Sequence, residues 1–119
     1  MTNLEIYNTA SKLLEAFSDT QQKFPVKMNF FLQKNKKLLI DLAREIEDSR
    51  LLIARTHGTP GEDGNYNIAV ENIDAAKAEL NELFNIEQDV NISKISFDDL
   101  DPNMELTSAQ MEALMFMID

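Results

Sequence analysis

Apolar residues fall into helical phase from the first few positions of this chain. Leu4, Tyr7, Ala10, Leu14 and Phe17 recur at three- and four-residue spacing, with Ile6 and Leu13 flanking them. That is one stripe of an amphipathic helix. Thr2 followed by Glu5 fits a capping box, in which each side chain satisfies an orphan N–H at the helix start. The polar run Ser18-Asp19-Thr20 is expected to end this helix. Pro25 suits the opening of a second helix, because its fixed φ and missing N–H cost little in a first turn. Met28, Phe31, Leu38, Leu39, Leu42, Ile46 and Ile53 then hold helical phase up to Gly58. Such length favours an antiparallel hairpin with the first helix, or a coiled-coil-like contact with another chain. A competing pattern, the alternation of Val26, Met28, Phe30 and Leu32, would make a strand. Phe31 and the lack of a turn signal before Leu38 favour the helix.

Residues 58–65 hold all three glycines and one of the three prolines, so they read as a loop with a turn at its end. Tyr66–Ile68 reads as a short strand. Residues 70–84 read as a third helix with Ile73, Ala76, Leu80, Leu83 and Phe84 inward. Val90, Ile92 and Ile95 lie in a β-rich stretch, expected to pair with Tyr66–Ile68. Ser96 and Asp99 suit a single capped turn, and Pro102 breaks the chain. Thr107 and Gln110 form a second capping box ahead of the apolar run Met111, Leu114, Met115, Met117 and Ile118. The pattern predicts a mainly helical α+β fold. A long antiparallel helical hairpin (1–58) and a loop (59–65) precede a strand–helix–strand unit that ends in a short C-terminal helix (66–119), all in one domain.

Charge divides the chain in two. Residues 1–58 carry nine Lys/Arg against seven Asp/Glu, a net of +2. Residues 59–119 carry Lys77 and Lys94 against fourteen acids, a net of −12. Such asymmetry bears on partners and solubility rather than on fold. The 44% hydrophobic content supports a real core. The absence of Cys excludes a disulfide framework, a thiol nucleophile and a thiolate metal site. The amino-terminal residues lack the basic and apolar regions of a signal peptide, and no apolar run is long enough to span a bilayer. A soluble protein of the cytoplasm is the expectation.

Candidate chemistry is sparse. Asp63, Asn65, Asn67, Glu71 and Asp74 occupy positions 1, 3, 5, 9 and 12 of a calcium-loop spacing. Ile68 stands where that loop needs a glycine, and Asp74 where it needs a bidentate Glu, so a strand after an Asp-Gly turn fits better. His57, the lone histidine, sits where a cation favours a helix C-terminus and has no obvious catalytic partner. Asp98, Asp99 and Asp101 around Pro102 read first as a solvated turn. Lys23, Lys27, Lys34, Lys36 and Lys37 form the basic patch. Phe24, Phe30 and Phe31 between them are expected in the core, and the net charge of −10 argues against direct nucleic-acid binding. The patch could instead meet the acidic half of a neighbouring copy. The Met-rich terminal run has two readings: it closes the core, or it docks a partner. No Gly-rich phosphate loop, GxSxG, HExxH or zinc spacing occurs, so no catalytic, cofactor or metal residue is nominated and no enzyme is expected.

Several stretches resemble a family of short uncharacterised proteins encoded by tailed phages and prophages. They are Phe24-Pro25-Val26-Lys27, Lys34-Asn35, Asp63-Gly64-Asn65 with Ile68, Glu79-Leu80-Asn81-Glu82-Leu83 leading to Asp89-Val90-Asn91-Ile92, and Leu106-Thr107 with Met115-Phe116-Met117-Ile118. The resemblance implies a setting in the bacterial host cytoplasm or the virion, and carries over no site residue. The expected function is non-enzymatic: protein–protein contact in an assembly, accessory or adaptor role, with self-association through the hairpin. Met111, Leu114, Met115, Met117 and Ile118 would be the docking face. The alternative is an acidic inhibitor of a host nucleic-acid-binding or defence protein. Glu79, Glu82, Glu87, Asp89, Asp98, Asp99 and Asp101 would then imitate phosphates.

Overall fold

The computed structural model describes residues 1–18 and 23–119. Helix α1 spans Asn3–Ala16, and the Thr2–Glu5 capping box forms as expected. Its end falls at Phe17, while Asp19 and Thr20 of the expected terminator lie outside the described residues. Helix α2 runs over Val26–His57, starting directly after Pro25 and stopping at Gly58. The strand alternative for residues 26–32 is therefore replaced by helix. Strands β1 (Gly58–Pro60) and β2 (Tyr66–Ile68) pair antiparallel, with Thr59 opposite Asn67. A 3-10 turn at Val70–Asn72 leads into α3, Ile73–Phe84. An extended segment and a capped 3-10 turn (Phe97–Asp99) follow, then α4, Ser108–Leu114, and a final 3-10 turn, Met115–Met117. The class is mainly α with a small two-stranded sheet.

Two expectations change. Val90–Ile95 is not the partner of β2; that partner is β1, drawn from the segment expected to be loop. The hairpin closes because Gly64 takes φ +82° and Gly61 N–H bonds Asn65 O at 2.6 Å. Gly58 is required by crowding, since a Cβ there would come within 2.8 Å of Asn67 O. The second change is the phase of α1. Its buried line is Ile6, Ala10, Leu13 and Phe17, whereas Leu4 and Leu14 are about half exposed. The expected stripe shares Ala10 and Phe17 with this line and its Tyr7 reaches Glu47, so the difference lies at Leu4 and Leu14, which give way to Ile6 and Leu13.

The long helix is a spine. Tyr7 reaches Glu47 while Lys36 reaches the Phe17 carbonyl, so α1 lies antiparallel along the middle of α2. His57 bonds Glu79, and Phe84 packs edge-on against Tyr7. Thus α3 lies antiparallel along the C-terminal part of α2 and meets α1 end to end. That arrangement stretches the molecule to 56 × 30 × 20 Å, with a radius of gyration of 17.8 Å. A compact chain of this length would have about 13–14 Å. The core sits between α1, α2 and α4, with Met28, Leu32, Leu39 and Ile46 of α2 facing Ile6, Leu13, Leu114 and Met117. On α3 only Ala76 is fully buried.

Among the described residues three polar side chains are buried, all of them carboxamides, and they tie the irregular segments to this frame. Asn35 replaces an apolar residue in the Leu32–Leu39 line. Its Oδ1 accepts from Ser93 N–H, and its Nδ2 donates to Ser93 C=O, both at 2.9 Å. The side chain thereby does for residue 93 what a neighbouring strand would do. Asn3 Nδ2 donates to Leu83 O at 2.8 Å, and its Oδ1 accepts from Gln88 Nε2 at 2.6 Å, fastening the α1–α3 junction. Gln110 caps α4 through the box with Thr107 and donates to Ala16 O at 2.9 Å, so one residue serves two helix ends. Among the described residues no helix is long and apolar enough to cross a membrane.

Candidate functional site

The second stripe of α2 faces away from the core. Val26, Phe30, Lys34, Lys37, Asp48 and Leu52 recur at helical spacing on this outward side and are all exposed. Val26 is 87% exposed, and Phe30 and Leu52 are each 61% exposed. An isolated surface apolar residue needs no explanation, but an apolar group at either end of one continuous helix face does. At the α2 N-terminus Phe24, Val26, Phe30 and the stems of Lys34 and Lys37 line an open groove of about 700 Å³. Its walls are apolar and its rim is basic. Phe30 packs edge-on to Phe31 at 5.7 Å, which holds the ring out on this face. The sequence expectation that Phe30 belongs to the core is corrected: it lies on the opposite side of α2 from Met28 and Leu32. Midway along the face, Arg44 pairs with Asp41 at 3.9 Å. Near its end, Arg55 Nε donates to the Tyr66 hydroxyl at 3.0 Å.

The terminal run is divided. Leu114 and Met117 are fully buried, Met111 and Ile118 are partly buried, and Met115 is 58% exposed. The reason is backbone pairing: Ile95 N–H bonds Met117 O at 2.9 Å and Asp119 N–H bonds Ile95 O at 2.8 Å, which presses the run into the core. As a docking face for all five residues the expectation does not hold, because Leu114 and Met117 already contact the chain's own core.

Three of the seven acidic residues nominated as a surface already have partners within the chain. Glu79 Oε2 lies 2.7 Å from His57 Nε2, and Glu87 lies 3.5 Å from the terminal amine. Asp99 accepts from Ser96 N–H and pairs with Lys27 at 3.1 Å, and those contacts hold its carboxyl below its ordinary value. Glu82, Asp89, Asp98 and Asp101 are exposed. In the calcium-spacing segment Asp63 is occupied by Asn65, whose side chain and backbone both donate to it, lowering its pKa. Tyr66–Ile68 of the same segment is strand. Among the described residues no three acidic or histidine side chains converge on a point.

Sequence reasoning missed Asn35 as a structural determinant and Phe30 as a surface residue. A polar residue in the Leu32–Leu39 core line was the available signal for the first. For the second it was the phase of Val26, Phe30, Gln33 and Lys37, half a turn from Met28, Leu32 and Leu39. Comparison with known proteins finds no matching family model, curated protein or solved structure.

Proposed function

We propose that this protein acts through protein–protein contact, as an assembly or adaptor component in a phage or prophage setting, and not through catalysis. The observation that carries the reading is the outward face of α2: some thirty residues of rigid helix with apolar side chains at both ends and charges between. A helix polar on its outer face needs no partner, whereas exposed Val26, Phe30 and Leu52 lose apolar surface to water only when something covers them. The long spine supplies reach, and the groove beside Phe30 supplies an anchor point of the kind interfaces use.

Solution mass by light scattering at low and high salt, paired with affinity capture from a host lysate, tests it. Self-association, or capture that the Phe30→Asp variant loses, supports the reading. A monomer that captures nothing at either salt rejects it. Capture that is indifferent to Phe30→Asp and collapses steeply with salt points to the alternative, an acidic surface imitating phosphates. Glu82, Asp89, Asp98 and Asp101 would then be the residues to neutralise first.

A further inference from the structure

We propose that the partner for the outward face of α2 is the same face of a second copy, packed antiparallel across a two-fold axis beside the midpoint of Asp41 and Arg44. The inference rests on the protein-contact reading above and names its occupant.

The charge order along the helix carries the argument. Lys34 and Lys37 make the N-terminal part of the stripe basic, whereas its C-terminal part carries Asp48 and, seven residues further on, Arg55, with the Asp41–Arg44 pair between the two parts. A parallel, in-register pairing sets Lys37 against Lys37 and Asp48 against Asp48, which repel. Antiparallel pairing about the stated axis places Lys37 opposite Asp48 of the second copy and Asp41 opposite Arg44. Each contact occurs twice by symmetry, as an isologous interface requires. The same register sets Phe30 opposite Arg55, a cation–π geometry. The Tyr66 hydroxyl already holds Arg55 out along the helix. Leu52 falls one turn away and enters the groove beside Phe30.

Area sets the strength. From Val26 to Arg55 the stripe is about 44 Å long at 1.5 Å per residue. A strip about 10 Å wide buries roughly 400 Å² per copy, half of what a standard stable interface buries. With three apolar residues per copy and exposed ion pairs, the dimer is weak and weakens further as salt screens its charges.

Sedimentation equilibrium on the full chain tests this, with circular dichroism to confirm that each variant is folded. The wild type dimerises at about 50 mM salt and dissociates at about 500 mM. Lys37→Glu and Asp48→Lys each face like charges twice, so each alone dimerises at least about tenfold more weakly. An equimolar mixture of the two variants forms a heterodimer. In it the carboxylate introduced at position 37 of one copy meets the ammonium introduced at position 48 of the other, and the native Lys37–Asp48 contact forms once. The double variant K37E/D48K recovers the homodimer. A wild-type dimer that both single variants keep overturns the proposal while leaving protein contact intact, since another face would then be responsible. So does a mixture that stays monomeric, because the register would be wrong. A wild type that is monomeric at every concentration also overturns it, and the lysate capture described above then decides the broader reading separately.

Discussion

Asn35 shows how much one residue can decide. A helix of 32 residues has one polar side chain wholly inside its core line, and that side chain replaces a strand as the partner of Ser93. Asn35→Ala leaves the Ser93 N–H and C=O without their partner and opens a small void. The expected cost is about 2–4 kcal/mol by chemical denaturation, with fast amide exchange newly seen at Ser93. Fast exchange at Ser93 in the wild type would contradict this assignment. Glu47 gives a second residue-scale expectation. Its carboxylate accepts from Arg50 at 2.9 and 2.5 Å and from the Tyr7 hydroxyl at 3.2 Å. The Arg50 hydrogen bonds come first in holding its pKa below the ordinary carboxylate value. A folded pKa below the unfolded one contributes stability that is full at neutral pH and lost as pH falls through the folded value. Glu47→Gln therefore lowers the melting temperature at pH 7, and the gap from wild type closes as acid protonates the carboxylate. A gap that widens on acidification would reverse the sign of this argument.

At the scale of elements, legibility followed the kind of signal each boundary uses. Both capping boxes, Thr2–Glu5 and Thr107–Gln110, are local side-chain chemistry, and both form. Pro25 and Gly58 bracket α2 through the backbone instead, Pro25 by its fixed φ and missing N–H and Gly58 because a Cβ there would crowd Asn67 O. The strand pairing was hidden because β1 is Gly-Thr-Pro, a composition that resembles a turn, and is held by its hairpin partner rather than by apolar residues of its own. Val90–Ile95 has strand-like residues yet bonds to a side chain of α2 and to the chain end beyond the final 3-10 turn, long-range partners that no periodicity reveals. The outward face of α2 was visible in the spacing, but Phe30 reads as core until the opposite stripe is known to be Met28, Leu32, Asn35 and Leu39. The C-terminal run settles on burial: deleting residues 107–119 removes Leu114, Met117 and the cap on the Ala16 carbonyl together. The truncated chain is expected to lose cooperative unfolding, and Leu114→Ala alone to cost about 2–5 kcal/mol. A truncated protein that keeps its melting temperature would sink this assignment.

The whole molecule is uneven along its length. Nearly all the fully buried side chains lie in the part built from α1, α4 and the N-terminal two-thirds of α2, while α3 and the β1–β2 hairpin bury one residue, Ala76, completely. Local opening free energies follow such differences. Amide protection is expected to be greatest around Leu32–Ile46 and least in β1, β2 and α3. Leu39→Ala should cost about 3–4 kcal/mol against about 1 kcal/mol for Leu80→Ala, read by urea unfolding. Equal costs, or uniform exchange along the rod, would refute the graded picture.

Because α1 and α3 are laid in series along one helix and joined by Asn3 and Gln88, the spine works as a ruler whose divisions cannot be changed singly. One residue inserted between Ile46 and Leu51 would turn everything beyond it by about 100° and advance it by about 1.5 Å. The contacts of α3 would then point away from α1. Seven inserted residues nearly restore the angle but lengthen the spine by about 10 Å, pulling the Asn3 junction apart. Length variation in related chains should therefore collect in residues 61–65 and 100–106, and leave the count between Val26 and His57 fixed.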